Sequence, residues 1–159
     1  MTIAEYPAEI SDDTPIQQVL TWRIHQVHSK LNVHASKFLE KISGIGLTQW
    51  RIMLSIGPKG STTHSEIRRY IAIDKGQLSR SLKGMIEEGL VEAVSDKNDH
   101  RQQKLSLTVK GRRIFNITLP MMRMRQNYLL GSLSNAERAA IFSALDKLEL
   151  AAGNHEFLA

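Results

Sequence analysis

With 159 residues, 42% of them apolar, the chain is long enough for one compact domain or a core with extensions, and too apolar for a disordered tail. Lys and Arg total 21 against 16 Asp and Glu, a net charge of +5, with an isoelectric point near 9.6, the balance expected of a protein that meets polyanions. The absence of cysteine excludes disulfides, thiolate metal sites and cysteine redox switching.

Residues 1–13 carry Glu5, Glu9, Asp12 and Asp13 and no Lys or Arg, so they read as an acidic extension, and the remainder holds 21 basic against 12 acidic side chains, or +9. This start lacks the basic and apolar regions of a signal peptide, and no apolar run approaches the length of a bilayer span; a cytoplasmic protein with no membrane partner is expected. Apolar or small residues then recur at Ile16, Leu20, Ile24, Val27, Leu31, Ala35, Phe38 and Ile42, at spacings of three and four that mark one face of a long helix. Val19, Val33 and Leu39 widen that stripe. A helix of this length exceeds what a small core covers, so part of it is expected against a second element or a second chain. The turn Gly44-Ile45-Gly46 ends it.

Thr48 is the expected N-cap of the next helix, with Leu47 and Ile52 as a hydrophobic staple, and the helix runs to Ile56. Gly57-Pro58-Lys59-Gly60 breaks the chain. A short helix follows, with Thr63 and Glu66 in the spacing of a capping box and Ile67, Tyr70 and Ile71 on its apolar face. Asp74 caps the third helix of the set, with Gln77 at the reciprocal position. On the helical wheel Leu78, Leu82, Met85 and Ile86 cluster on one side, whereas Gly76, Arg80 and Lys83 point the other way. Glu88-Gly89-Leu90 ends this helix. Val91 to Val94 and Lys104 to Thr108 pair as strands around the charged tip Asp96-Lys97-Asn98-Asp99-His100-Arg101-Gln102.

Helix, turn, helix and hairpin in this order form a winged helix-turn-helix, a fold whose recognition helix enters a major groove of roughly 12 Å while the hairpin reaches the neighbouring backbone or minor groove. Any soluble helix shows charge to solvent, so the helix opened by Asp74 is not diagnostic alone; the four parts together are. Arg80 has the planar fork that engages a guanine edge, with Gln77 and Ser79 beside it and Gly76 allowing close approach. Lys75 and Lys83 suit phosphate. Thr63, Ser65 and Arg68 stand near enough to touch phosphate as well, with a purely local capping role the alternative for Thr63.

These residues also resemble a known family. Leu47-Thr48, Ile73-Asp74, Leu78-Ser79-Arg80, Glu87-Glu88-Gly89-Leu90-Val91, Asp99-His100-Arg101 and Leu107-Thr108-Val109-Lys110-Gly111 are similar to successive signposts of the multiple-antibiotic-resistance regulator (MarR) family, over about residues 47–113. The resemblance implies a mainly helical protein with a small β-hairpin wing, in which residues 47–113 bind DNA and residues 14–46 and 114–159 form a helical dimerisation region. It implies a homodimeric repressor on a pseudo-palindromic double-stranded DNA operator, released by a small aromatic or acyl-type effector. Arg101, with Lys97 in the same basic tip, would extend from the wing toward the minor groove, and Asp99 would orient the wing through an ion pair. Trp22, Arg23 and His25 would face an effector carboxylate. Two departures from the family pattern, His100 beside Arg101 and Ala93 after Gly89-Leu90-Val91, remove positive charge from the wing, leaving it weaker or pH-dependent in its grip.

Thr108 is expected to cap a helix through Leu130 that is kinked at Pro120, and Ser134 with Glu137 to open another before Ile141, Leu145 and Leu148. Such helices suit a twofold interface. Met121, Met122 and Met124 read as core filler or as an adaptable pocket wall. His25, His28 and His34 lie close on the first helix, but no carboxylate joins them at ligand spacing, and neither a metal nor a cofactor is expected. The chain has no G-x-S-x-G, no H-E-x-x-H and no G-x-x-x-x-G-K, so an enzyme is not expected. A DNA-architectural protein without an effector, or a ligand-binding protein that meets no DNA, remain the alternatives.

Overall fold

A computed structural model describes residues 9–95 and 103–153. The chain divides into two compact units, Met1–Thr118 and Leu119–Ala159. Its elements are mainly helical, with one small antiparallel sheet.

In the first unit a 3₁₀ turn, Ile16–Gln18, precedes α1 (Leu20–Ser43). The stripe beginning at Ile16 was expected to be one helix, but Val19 adopts an extended conformation (ψ 121°) between the two, and no side chain caps the start of α1. A β-branched residue adopts that geometry readily, and the 3₁₀ bond from Val19 N–H to the Ile16 carbonyl (3.1 Å) sets it there. Gly44, at φ 68°, closes α1 by donating to the carbonyls of Leu39 and Glu40.

The helix α2 (Leu47–Ile56) opens two residues earlier than Thr48 would place it. Gly46 is the N-cap, and its N–H donates to Oε1 of Gln49 at 2.8 Å. Leu47 therefore lies inside the helix, and the staple with Ile52 does not arise. At the other end Gly57 is required by a close approach: a Cβ there would overlap the Phe115 ring. That ring stacks on Trp50 at 5.6 Å, and Arg112 lies over it while donating to the Gly57 carbonyl at 2.8 Å.

A strand not anticipated from the sequence follows, β1 (Ser61–Thr63), and leads directly into α3 (His64–Ile71). The capping box is present: Thr63 Oγ1 accepts from Glu66 N–H at 3.3 Å, and Glu66 Oε2 accepts from Thr63 N–H at 2.9 Å. Ala72, at φ 49°, ends the helix in the left-handed region. Asp74 then caps α4 (Lys75–Glu87), its Oδ1 accepting from Gln77 N–H at 2.8 Å. The strands β2 (Val91–Ser95) and β3 (Gln103–Leu107) pair antiparallel from Val91 opposite Leu107 to Ser95 opposite Gln103. β1 joins the far side of β3, giving the order β1-β3-β2.

The core of this unit is α2 packed on α3, α4 and the sheet. Leu39, Ile52, Met53, Ile56, Ile67, Leu78, Met85 and Val91 are each less than 2% exposed. Tyr70 and Ile86 depart from the expected pattern. Tyr70, placed on the apolar face of α3, is 68% exposed, and Ile86, placed with Leu82 and Met85, is 43% exposed. Ile67 already fills the space under α3, and Ile86 borders an open cavity rather than the core.

The last helix of the unit, α5 (Val109–Leu130), starts in a clasp. Thr108 Oγ1 donates to the Gly89 carbonyl at 2.6 Å and accepts from Gly111 N–H at 3.0 Å. Thr108 N–H donates to the Leu90 carbonyl at 3.2 Å, and Lys110 Nζ donates to that of Glu88 at 2.8 Å. A Cβ at Gly111 would collide with the Leu90 carbonyl. The segments Glu88-Gly89-Leu90 and Thr108-Val109-Lys110-Gly111 thus fit each other atom by atom, tying the end of α4 to the start of α5.

The second unit holds the end of α5 and α6 (Asn135–Gly153). Pro120 lies within α5, which continues through it. The predicted capping box is present, with Glu137 Oε2 accepting from both N–H and hydroxyl of Ser134 at 2.7 Å. Arg138 donates to the carbonyls of Leu130 and Leu133, holding the turn between the helices. No residue of α6 is buried, and Met121, Met122 and Met124 are half-buried or exposed rather than core. Among the described residues no helix is long and apolar enough to cross a membrane.

Candidate nucleic-acid interface

The surface of α4 follows from its sequence. Leu78, Leu82 and Met85 recur at helical spacing and are buried, so the residues between them must face outward. Lys75, Gly76, Gln77, Ser79, Arg80 and Lys83 are all exposed. The Asp74 cap and the left-handed Ala72 before it fix where the helix begins, which sets the position of its first two turns. Gly76 packs closely with this cap: a Cβ there would lie 3.3 Å from Asp74 Oδ1 and 3.4 Å from an Arg80 terminal nitrogen. Lys83 forms a loose pair with Glu87 (3.9 Å), both largely exposed. Such a pair holds little energy and leaves the ammonium available to another anion.

The start of α3 stands beside this face. Ser65 and Arg68 are exposed. Thr63 is engaged locally: its hydroxyl also contacts Glu66 Oε2 at 3.2 Å, so its geometry is that of a cap. Two backbone-coupled threonines hold Glu66. The N–H of Thr63 and the hydroxyl of Thr62 (2.8 Å) keep its carboxyl below the ordinary carboxylate range. His64, which sequence reasoning passed over, brings its Nε2 within 3.4 Å of Ser79 Oγ. It shares a cavity of about 390 Å³ with Ser79, Leu82, Lys83, Ile86, Glu87, Gln103 and Leu105. Nothing in local patterning marks it, because the contact joins residues fifteen positions apart on two helices.

Of the wing, β2 and β3 are described, and the tip is not. Lys97, Asp99, His100 and Arg101 lie outside the described residues. Ala93, opposite Leu105, sits exposed on β2. On α1, Trp22, Arg23 and His25 are exposed, with the Trp22 and His25 rings 5.8 Å apart and tilted. His28 and Arg51 are bridged by Asn32, whose amide nitrogen lies 3.1 Å from His28 Nε2 and whose oxygen accepts from Arg51 at 2.8 Å. Among the described residues no group of three His, Cys, Asp or Glu side chains is arranged to hold a metal ion.

Comparison with known proteins places this geometry. The MarR family model matches residues 43–102, the segment from the end of α1 to the residue before β3. The chain is 28% identical over 105 residues to the HTH-type transcriptional regulator BilQ of Clostridium symbiosum, covering 66% of this chain and 73% of that protein. It is 34% identical over 93 residues to an uncharacterised HTH-type transcriptional regulator of Staphylococcus aureus, covering 58% and 63%. Among solved structures, a MarR/EmrR family transcriptional regulator from Acinetobacter sp. ADP1 superposes with a TM-score of 0.80 at 25% identity, over 87% of this chain and 98% of that one. A MarR variant from E. coli in complex with operator DNA superposes with a TM-score of 0.73 at 25% identity, over 81% and 92%. The capped and outward-facing α4 lies in the segment that matches the MarR family model, and the fold is similar to that of solved MarR-family transcription regulators.

Proposed function

We infer that the protein is a homodimeric, sequence-specific DNA-binding repressor. The observation that supports this most is α4 itself, anchored along one face by Leu78, Leu82 and Met85 and presenting Gln77, Ser79, Arg80 and Lys83 along the other. Arg80 reads a base edge in the major groove, where a bidentate contact is worth roughly 1–3 kcal/mol of discrimination. Gln77 and Ser79 assist it, Gly76 allows the approach, and Lys75 and Lys83, with Ser65 at the start of α3, hold phosphates. Thr63 contributes through the cap it forms. In the wing, Arg101 and Lys97 anchor the neighbouring groove and Asp99 orients Arg101.

Dimerisation is supported by the apolar side chains that α1 and α6 each leave on solvent. Leu20, Ile24, Val27 and Leu31 on α1, and Ile141, Phe142, Leu145 and Leu148 on α6, are all 37–58% exposed. Faces of this kind are normally covered by another chain. A twofold dimer would carry its two α4 helices to successive major grooves of a pseudo-palindromic operator, as the resemblance implies. A small aromatic or acyl-type effector then releases DNA, with Trp22, Arg23 and His25 as its contacts.

Footprinting upstream of the protein's own gene, repeated with a panel of aromatic acids and their thioesters, tests this reading. A single protected palindrome that is lost with one of these compounds is the expected result. Sequence-blind coverage would instead assign an architectural role, and no protection at physiological salt would remove DNA from the function altogether.

A further inference from the structure

A second cavity, of about 240 Å³, lies in the first unit among the end of α2, the turn Gly57-Pro58-Lys59-Gly60, β1 and α3. Leu54, Pro58 and Tyr70 supply its apolar wall. Tyr70 is the residue that spacing placed in the core and that stands 68% exposed instead. It follows Glu66 by one helical turn, on the same face of α3, so ring and carboxylate border one space.

Two hydroxyls of this wall are already committed. Ser55 donates to the Ile52 carbonyl at 2.7 Å, and Thr62 donates to Glu66 Oε2 at 2.8 Å. What remains for a ligand is a pair of opposite charges, Lys59 and Glu66. Among the described residues, every hydrogen bond that Glu66 accepts, from Thr62 and from the N–H and hydroxyl of Thr63, ends on Oε2, which leaves Oε1 open. The N–H of Thr63 and the hydroxyl of Thr62 hold this carboxyl in its anionic form, and the field of Lys59 adds to their effect. Lys59 is therefore near, yet among the described residues no ion pair joins it to Glu66. Its backbone is set by a bond from its N–H to the Ile56 carbonyl (3.2 Å) and by the left-handed Gly60 that follows, at φ 81°.

Two opposite charges that border one cavity without closing on each other select what it holds. A carboxylate alone would meet Glu66 and an amine alone would meet Lys59, and either would bring an unmatched like charge against a largely apolar wall. A molecule that carries both heads on one carbon matches both. The volume is smaller than the roughly 300–1,000 Å³ of sites for drug-sized ligands, which limits the body of the ligand to a single small group.

We propose that this cavity binds a free α-amino acid with an apolar side chain, its ammonium on Glu66 Oε1, its carboxylate on Lys59 Nζ and its side chain against Leu54, Pro58 and the Tyr70 ring. The new bond to Oε1 leaves those at Oε2 in place, so the capping box that opens α3 persists and the ligand stabilises the folded chain by mass action. The site shares no residue with the outward face of α4 or with Trp22, Arg23 and His25, and it stands whether or not the chain binds DNA.

The test titrates the full chain with L-leucine and L-phenylalanine by calorimetry. Dissociation constants of about 0.1–1 mM are expected, with a rise in melting temperature. N-acetyl-leucine, which lacks the ammonium, and leucinamide, which lacks the carboxylate, should each bind about tenfold more weakly than L-leucine, the loss of one charged hydrogen bond. Lys59→Met, on an exposed turn, should fold as wild type and lose about tenfold for L-leucine, but little for leucinamide, which has no carboxylate for it to hold. No binding of either amino acid up to about 10 mM overturns the proposal. So does N-acetyl-leucine or leucinamide binding as tightly as L-leucine, or Lys59→Met with the affinity of wild type. None of these results bears on the DNA-binding reading.

Discussion

The lobe from α2 to the start of α5 and the long helices α1 and α6 treat their apolar side chains in opposite ways. In the lobe, Ile52, Met53, Ile56, Ile67, Leu78, Met85 and Val91 are closed off from water, and the segments around them are joined by caps and by the Leu90–Gly111 clasp. Along α6 no residue is buried, and most of the α1 stripe stands on solvent, with Ala35 and Leu39 the exceptions near its end. The first region is closed within one chain. The helices α1 and α6 each leave apolar side chains on solvent, which supports the dimer proposed above.

That contrast can be broken from either side. The largest effect is expected at the clasp: Gly111→Ala sets a Cβ against the Leu90 carbonyl and should cost about 3 kcal/mol, read by chemical denaturation. A loss under 0.5 kcal/mol, roughly that of an ordinary surface change, would mean the two segments are not held as described. Next comes α6. Leu145→Asp combined with Ile141→Asp should yield a folded monomer by sedimentation and lower operator affinity by about a hundredfold, the avidity lost with the second reading head. A double mutant that stays dimeric would remove α6 from the interface.

Smaller effects sharpen the lobe side of the comparison. Ala72 holds a left-handed conformation that costs an L-residue roughly 1 kcal/mol. Ala72→Gly should therefore raise stability by up to about that amount and leave DNA affinity unchanged. The least effect belongs to the caps. The N–H of Thr63 and the hydroxyl of Thr62 hold Glu66 below its ordinary range, and the hydroxyl and N–H of Ser134 do the same for Glu137. A carboxyl lowered in the folded state contributes stability that is present above its unfolded value, near 4.3, and is lost as pH falls through the folded one. Denaturation midpoints should drop in that acid window, and Glu66→Gln and Glu137→Gln should each make the drop shallower; unchanged slopes would show that neither carboxylate bonds its cap.

What could be read from the sequence was largely what is local. The caps at Thr63, Asp74 and Ser134 depend on residues three apart, and all three are present. The buried side of α4 followed from period alone, save for Ile86. What escaped depends on distant partners. Ser61-Thr62-Thr63 has no alternation to announce a strand, and becomes one only because Lys104, Leu105 and Ser106 lie opposite. Tyr70 fits an apolar helix face by spacing, yet Ile67 alone occupies the space beneath α3. Thr48 lost the capping role to Gly46 because the Gln49 side chain reaches back to that backbone N–H. Of the interface, the outward residues of α4 were legible from its wheel, whereas His64 was not, since its partner is on another helix.

The division of labour on α4 is tested most directly by measuring operator affinity and base preference for Arg80→Ala and Lys83→Ala, each across a panel of single-base operator variants and several salt concentrations. Arg80→Ala should lose discrimination at one position of each half-site by roughly 1–3 kcal/mol. Lys83→Ala should weaken every sequence alike and lower the salt dependence by about one counterion per half-site. Uniform loss in both mutants, with every base preference intact, would contradict the assignment of sequence reading to Arg80.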